Sequence, residues 1–201
     1  MAARFPTNPS FQSVGFKINT PLLKTTSLSG KTRRVAMGHQ FYTFTVKFPN
    51  LTPQEIGLVQ SFLVARLGGY DAFEIVLPQI SYSKAPLTPT GTPTVTTNAS
   101  TGTSTVILSN LGANRMVIKG GDVLKFGNHT KVYVATADVT SDGAGNGTLT
   151  FSGGSVTNIP SGTTATITAV PFTVILDGDA QSYDMGLGGI TSLSLDMREV
   201  W

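Results

Sequence analysis

The chain has 201 residues, 40% of them hydrophobic and only 12% charged. That is enough apolar material for one large or two small cores, and it excludes disorder over most of the length. A net charge of +3 is too small to imply nucleic-acid binding, and the lack of cysteine excludes disulfides and thiolate metal sites. No stretch approaches the ~20 apolar residues of a membrane helix, and Met1–Phe16 has no apolar run of signal-peptide length, so a soluble protein is expected.

The 22 Gly and 11 Pro, with abundant Thr and Ser, predict short strands joined by frequent turns. Gln40–Phe48 reads as a strand with Tyr42, Phe44, Val46 and Phe48 on one face and Thr43, Thr45 and Lys47 on the other. A helix follows. Thr52 is its N-cap, Pro53 its first residue and Glu55 completes a capping box. Ile56, Val59, Phe62, Leu63 and Leu67 recur at helical spacing and should be buried, with Gly68-Gly69 as the stop. Phe73–Leu77 is a second strand, ended by Pro78.

Composition then changes. The Pro-rich run Lys84–Pro93 can be neither helix nor central strand, and from residue 86 to 170 the only aromatics are Phe126, Tyr133 and Phe151. In that part, residues 103–108, 122–126, 131–139, 147–151 and 164–168 read as strands, with 127–129 and 141–146 as hairpin turns. No helix signal appears there. After Pro171, Phe172–Leu176 and the alternating Leu193, Leu195 and Met197 supply strands that need partners, and residues 40–77 offer them. The expected fold is therefore mainly β. A split β-barrel with one flanking helix forms from residues 1–85 with 171–201, and residues 86–170 are an inserted small β-sandwich or barrel.

Charge is unevenly placed. Arg4, Lys17, Lys24, Lys31, Arg33, Arg34 and Lys47 precede the first acid, Glu55, whereas Asp177, Asp179, Asp184, Asp196 and Glu199 crowd the other end. The two ends are expected to face each other as neighbouring strands, or else to form patches that set the register between identical subunits.

Signatures of chemistry are weak. The two histidines, His39 and His129, stand at a strand head and in a turn, and no Gly-x-Ser-x-Gly elbow is present. Ser29-Gly30-Lys31-Thr32 resembles the end of a phosphate loop, but Thr25 stands where the earlier Gly is required, so a solvated turn is expected. Asp177–Asp184 has oxygen ligands at calcium-like spacing, yet Ser182 and Gly188 occupy the positions that need Gly and Glu. No catalytic, cofactor or metal residue is assigned, and no enzyme activity is expected.

Three segments carry a resemblance. Phe11–Lys17, Ser29–Arg34 and Gly38-His39-Gln40-Phe41-Tyr42-Thr43-Phe44 resemble the minor tail and distal tail proteins of tailed bacteriophages. There, a basic strand passes through a Gly-Gln-aromatic step into an aromatic strand, followed by a helix like Thr52–Leu67 and a strand like Tyr70–Ile75. Asp179–Tyr183 and Leu195–Val200 resemble the closing strands of the same fold, and Gly121–Phe151 resembles β modules inserted in phage virion proteins. His39 stands where that family more usually has Gly. The resemblance implies a tail-tip or baseplate ring, usually of six copies, joining the tail tube to the hub and to peripheral receptor-binding parts. It brings no active site. Two other readings remain open: a carbohydrate-binding adhesin, and another virion protein such as a tail tube, head–tail connector or capsid decoration protein.

Overall fold

Period-two alternation builds the main sheet. The computed structural model describes residues 3–178, 183–185 and 191–201. Its first part contains β1 (Ala3–Arg4), β2 (Ser13–Asn19), β3 (Leu22–Thr26), β4 (Thr32–Ala36), β5 (Phe41–Lys47), α1 (Pro53–Val64) and β6 (Phe73–Ile75). The middle contributes β7 (Thr94–Val95), β8 (Thr105–Ser109), β9 (Met116–Ile118), β10 (Val123–Phe126), β11 (Val132–Val134), β12 (Val139–Thr140), β13 (Gly147–Thr150) and β14 (Ala165–Thr166). β15 (Phe172–Leu176), β16 (Tyr183–Met185) and β17 (Thr191–Glu199) close the chain.

The aromatic strand behaves as its pattern requires. Tyr42, Phe44, Val46 and Phe48 are all buried. β5 lies between β2 and β17, with Phe16 and Met197 opposite Phe44 and with Val14 and Leu195 opposite Val46. The full order is β1-β6-β15-β17-β5-β2, with β16 also paired to β17, so both ends of the chain share one seven-stranded sheet. Phe172 meets the Phe44 ring edge-on at 4.9 Å, which joins the two ends inside one core.

The sheet is open, not the closed barrel that the sequence suggested. Closure needs the two edge strands to pair. Here one edge is β1, only two residues long, which pairs with β6 in parallel and then departs. α1 covers the apolar face beside that edge. Thr52 accepts a hydrogen bond from the Glu55 amide while the Glu55 carboxylate accepts from the Thr52 amide, so the predicted capping box forms. Ile56, Val59 and Leu63 are buried. Leu67 is not: it is 71% exposed, because the helix ends at Val64 and the chain then turns through Leu67 and Gly68, both at positive φ.

The middle part has small sheets only: β11-β10-β14, β13-β8-β7 and β12-β9. Its three aromatics pack on one another, Tyr133 to Phe151 at 4.9 Å and Phe126 to Phe151 at 5.7 Å. The 127–129 turn joins β10 to β11 as a hairpin. Residues 141–146 also turn, with Asp142 accepting from the Ala144 and Asn146 amides. The strands on either side of that turn nevertheless pair elsewhere, β12 with β9 and β13 with β8, so no hairpin forms there.

The burial of this part forms one cluster running from Val95 to Ile167. A second cluster spans Phe5 to Leu77 and Val170 to Met197, and it also takes in Val123 and Val132 of β10 and β11.

Candidate assembly surfaces

Between β2 and β5 the chain leaves the body as a two-stranded arm. β3 and β4 pair from Leu22 opposite Ala36 to Thr26 opposite Thr32, and Met37 donates to the Pro21 carbonyl at the root. The tip is tight: Gly30 donates to the Ser27 carbonyl, and its φ of 79° suits glycine. The phosphate-loop-like residues Ser29–Thr32 are therefore a hairpin tip, as a solvated turn requires. Five residues per strand give an arm of roughly 17 Å.

Every residue of β3 and β4 is exposed, including Leu22, Leu23 and Val35, and Leu28 stands free at the tip. Four cations, Lys24, Lys31, Arg33 and Arg34, share this arm with no acid. Lys24 lies directly opposite Arg34. Like charges so placed oppose pairing, and exposed apolar residues gain nothing in water. Both costs fall if the arm is covered by an acidic, partly apolar surface.

The basic and acidic ends do meet as neighbouring strands, β5 beside β17, but their charges do not pair across that seam. The register sets Thr43 and Thr45 opposite Arg198 and Asp196, and the Thr45 hydroxyl donates to Asp196 at 2.6 Å. None of the ion pairs among the described residues uses a cation from residues 3–54.

Three of those pairs instead join the middle part to the rest of the chain. Lys84 pairs with Asp122 at 3.4 Å, Lys125 with Glu74 at 3.2 Å and Lys131 with Glu199 at 2.6 Å. The last is wholly enclosed. Glu199 also accepts from the Val132 and Tyr42 amides, and Lys131 donates to the Val132 carbonyl. The Lys131 ammonium sits 4.4 Å from the Tyr42 ring centre and 4.8 Å from that of Trp201. Burial pulls the lysine pKa down and pushes the glutamate up, while each partner's charge opposes the shift of the other.

Sequence reasoning did not single out this pair, though a signal existed. Glu199 continues the inward phase of Leu193, Leu195 and Met197, and a carboxylate on that phase demands a buried partner.

The histidines lie apart. His39 places Nδ1 3.1 Å from the Gly153 carbonyl. His129 bridges Asn128 and the Tyr133 hydroxyl, each at 2.8 Å, and burial followed by Lys125 and Lys131 lowers its pKa. Burial pushes the Tyr133 phenol up to about 12. Of the calcium-like segment, Asp177 donates its amide to the Asp196 carbonyl, and residues 179–182 lie outside the described residues, as does Gly188. Among the described residues no three His, Asp or Glu side chains gather as a metal site.

The architecture is that of a mainly β protein with a projecting basic arm and a charged internal junction. Residues 4–80 match the family model described as distal tail protein pb9, A domain, N-terminal. The chain is also 28% identical over 135 residues to the distal tail protein pb9 of Escherichia phage T5, an alignment covering 65% of each chain. It thus spans about 65% of the length of that relative. The likeness to phage distal tail proteins drawn from the sequence is borne out by both comparisons.

Proposed function

We propose that this chain is a structural protein of a phage tail, forming a ring at the tail tip that joins the tail tube to the hub and to peripheral receptor-binding parts. The likeness to distal tail proteins supports the tail role. The exposed arm is the single observation that carries self-association. Its acid-free, partly apolar surface is exposed among the described residues and suits a neighbouring copy, where head-to-tail contacts repeat until they close. Six copies is the expected number. Assembly takes place in the host cytoplasm and the product resides in the virion tail. The role is assembly, without catalysis.

Phe126, Tyr133 and Phe151 are all buried and not available for sugar stacking, which weighs against the adhesin reading. Analytical ultracentrifugation of the full chain, alone and with the tail tube protein, tests the proposal. The intact protein sediments as a closed oligomer in at least one of these conditions. Replacing Leu22–Ala36 by a two-residue turn leaves a monomer, and Arg33→Glu with Arg34→Glu weakens association in a salt-dependent way. A chain that stays monomeric in both conditions, or an armless variant that assembles as well as the parent, overturns it.

A further inference from the structure

The three lysine–carboxylate pairs at the junction differ in what they can do. Lys84 keeps more than half of its side chain in water and Glu74 about a quarter, at 54% and 28% exposure, so each ion pair is partly screened, although the buried Asp122 carboxylate also accepts from the Ser83 hydroxyl and the Lys84 and Lys119 amides. The third pair has 3% and 0% exposure. Its charges are stable only together. Separating the two bodies returns both to water, whereas removing one partner strands the other in the closed junction.

The surroundings add direction. Lys131 and its neighbour Val132 belong to the middle part, while the pocket belongs to the seven-stranded sheet: the carboxylate of Glu199, the Tyr42 face and the indole of Trp201. Trp201 is half exposed and forms the outer wall. The Val200 amide, bonded to the Thr173 carbonyl at 2.9 Å, holds that terminal segment on β15. The junction also holds Val123, Val132 and the partly buried Val134 on the middle side, Asp122 accepting from the Ser83 hydroxyl at 2.6 Å and the Lys84 amide at 2.9 Å close to the crossing, and His39 Nδ1 3.1 Å from the Gly153 carbonyl. The chain passes into the middle part and back at one point, where the Val170 amide donates to the Ser81 carbonyl at 2.9 Å. A body attached at one point and held by a polar junction is free to pivot once the junction yields.

We propose that Lys131, seated against Glu199, Tyr42 and Trp201, is a latch that holds the middle part closed on the seven-stranded sheet, and that its withdrawal lets the middle part swing about the Ser81–Val170 crossing, releasing Val123 and Val132 from the sheet's apolar cluster while the strands of both parts stay folded. This does not depend on ring formation. The latch fixes the direction in which the middle part projects, and a partner that takes up either freed charge would favour the open state.

Trp201 is the only tryptophan and lies in the latch itself, so its emission reports the state directly. The full-length chain is compared with Glu199→Ala, Lys131→Ala and the apolar double variant Lys131→Met/Glu199→Leu. Stranding one charge shifts the closed-to-open ratio by roughly a hundredfold to several thousandfold. Each single variant then shows Trp201 emission at longer wavelength and a larger radius in small-angle X-ray scattering, with far-ultraviolet circular dichroism unchanged. The double variant, with no stranded charge, returns to the parent radius. Single variants that keep the parent radius overturn the latch. Single variants that lose their circular dichroism while the double stays folded also overturn it, since the pair would then hold the fold and not the orientation.

Discussion

Phe62 is the aromatic attachment of α1 to the sheet, beside the buried Ile56, Val59 and Leu63, and truncating it measures that attachment. Its ring meets Phe5 and Phe73 edge-on, each at 5.3 Å, and the Arg66 guanidinium lies 5.4 Å from its centre on the remaining side. Removing a buried Phe costs about 3–5 kcal/mol, and two edge-on pairs account for roughly 1–3 kcal/mol of that. Phe62 is only partly buried, so the lower end applies, and Phe62→Ala should lose about 3 kcal/mol. Leu58→Ala is the control, because Leu58 is exposed on the same helix and its replacement should change stability by less than about 0.5 kcal/mol. Urea titration followed by circular dichroism gives both values. Equal losses for the two variants, or a Phe62→Ala loss under about 1 kcal/mol, would refute the argument that this ring seats the helix.

Thr52→Ala removes one half of the capping box and should cost about 1 kcal/mol, read from the same titration. Gly147→Ala should cost about 1–3 kcal/mol, since a Cβ there would stand 2.7 Å from Val139 Cγ1 and 2.9 Å from Leu111 Cδ1, both in the packed middle core. His129 gives a pH dependence with a definite sign. Its folded pKa is depressed, so stability is complete above the ordinary histidine range and is lost as pH falls through that range and the unfolded chain takes up the proton first. Thermal melts between pH 8 and pH 5, roughly the histidine window, should show that loss, and His129→Gln should reduce the slope.

How far the sequence disclosed this fold depended on the length of each pattern. The strand around Tyr42–Phe48 and the capped helix were legible because several residues repeat one period and strong local chemistry marks their ends. β7, β9 and β12 have two or three residues each, too few for a period to show, and only tertiary pairing defines them. Leu67 fitted the helical spacing and still lies in solvent, because the helix had ended before reaching it. The open edge of the sheet was hidden for another reason: strand content does not say whether edges meet, and here a two-residue strand and a helix take the place of closure. The Lys131–Glu199 pair joins residues 68 apart in sequence, and although the inward phase of Glu199 pointed to a buried partner, no local rule named Lys131.

The division into a body of residues 1–85 with 171–201 and an inserted part of residues 86–170 is a proposal that a deletion can decide. Two observations favour it: the middle cluster from Val95 to Ile167, and the bond between Ser81 and Val170 that brings the outgoing and returning chain side by side. Replacing residues 88–168 by a short Gly-Ser linker then closes a gap whose ends already touch, and loop entropy adds little because it grows only with the logarithm of length. The cost lies elsewhere. Val123 and Val132 leave the core of the body, and Glu199 loses both Lys131 and the Val132 amide. Glu199 gains water in exchange, so the charge is not stranded, and the exposed valine site should cost only a few kcal/mol by its apolar area. The deletion variant should therefore fold, melt at a lower temperature than the parent, and keep the arm and its capacity to associate. Glu199→Gln, harmful in the full chain, should be nearly neutral in the shortened one, because the group is then at the surface. Circular dichroism and sedimentation of the four proteins provide the test. An insoluble deletion product, or one in which Glu199→Gln is as costly as before, would show that the middle part belongs to the body's own core.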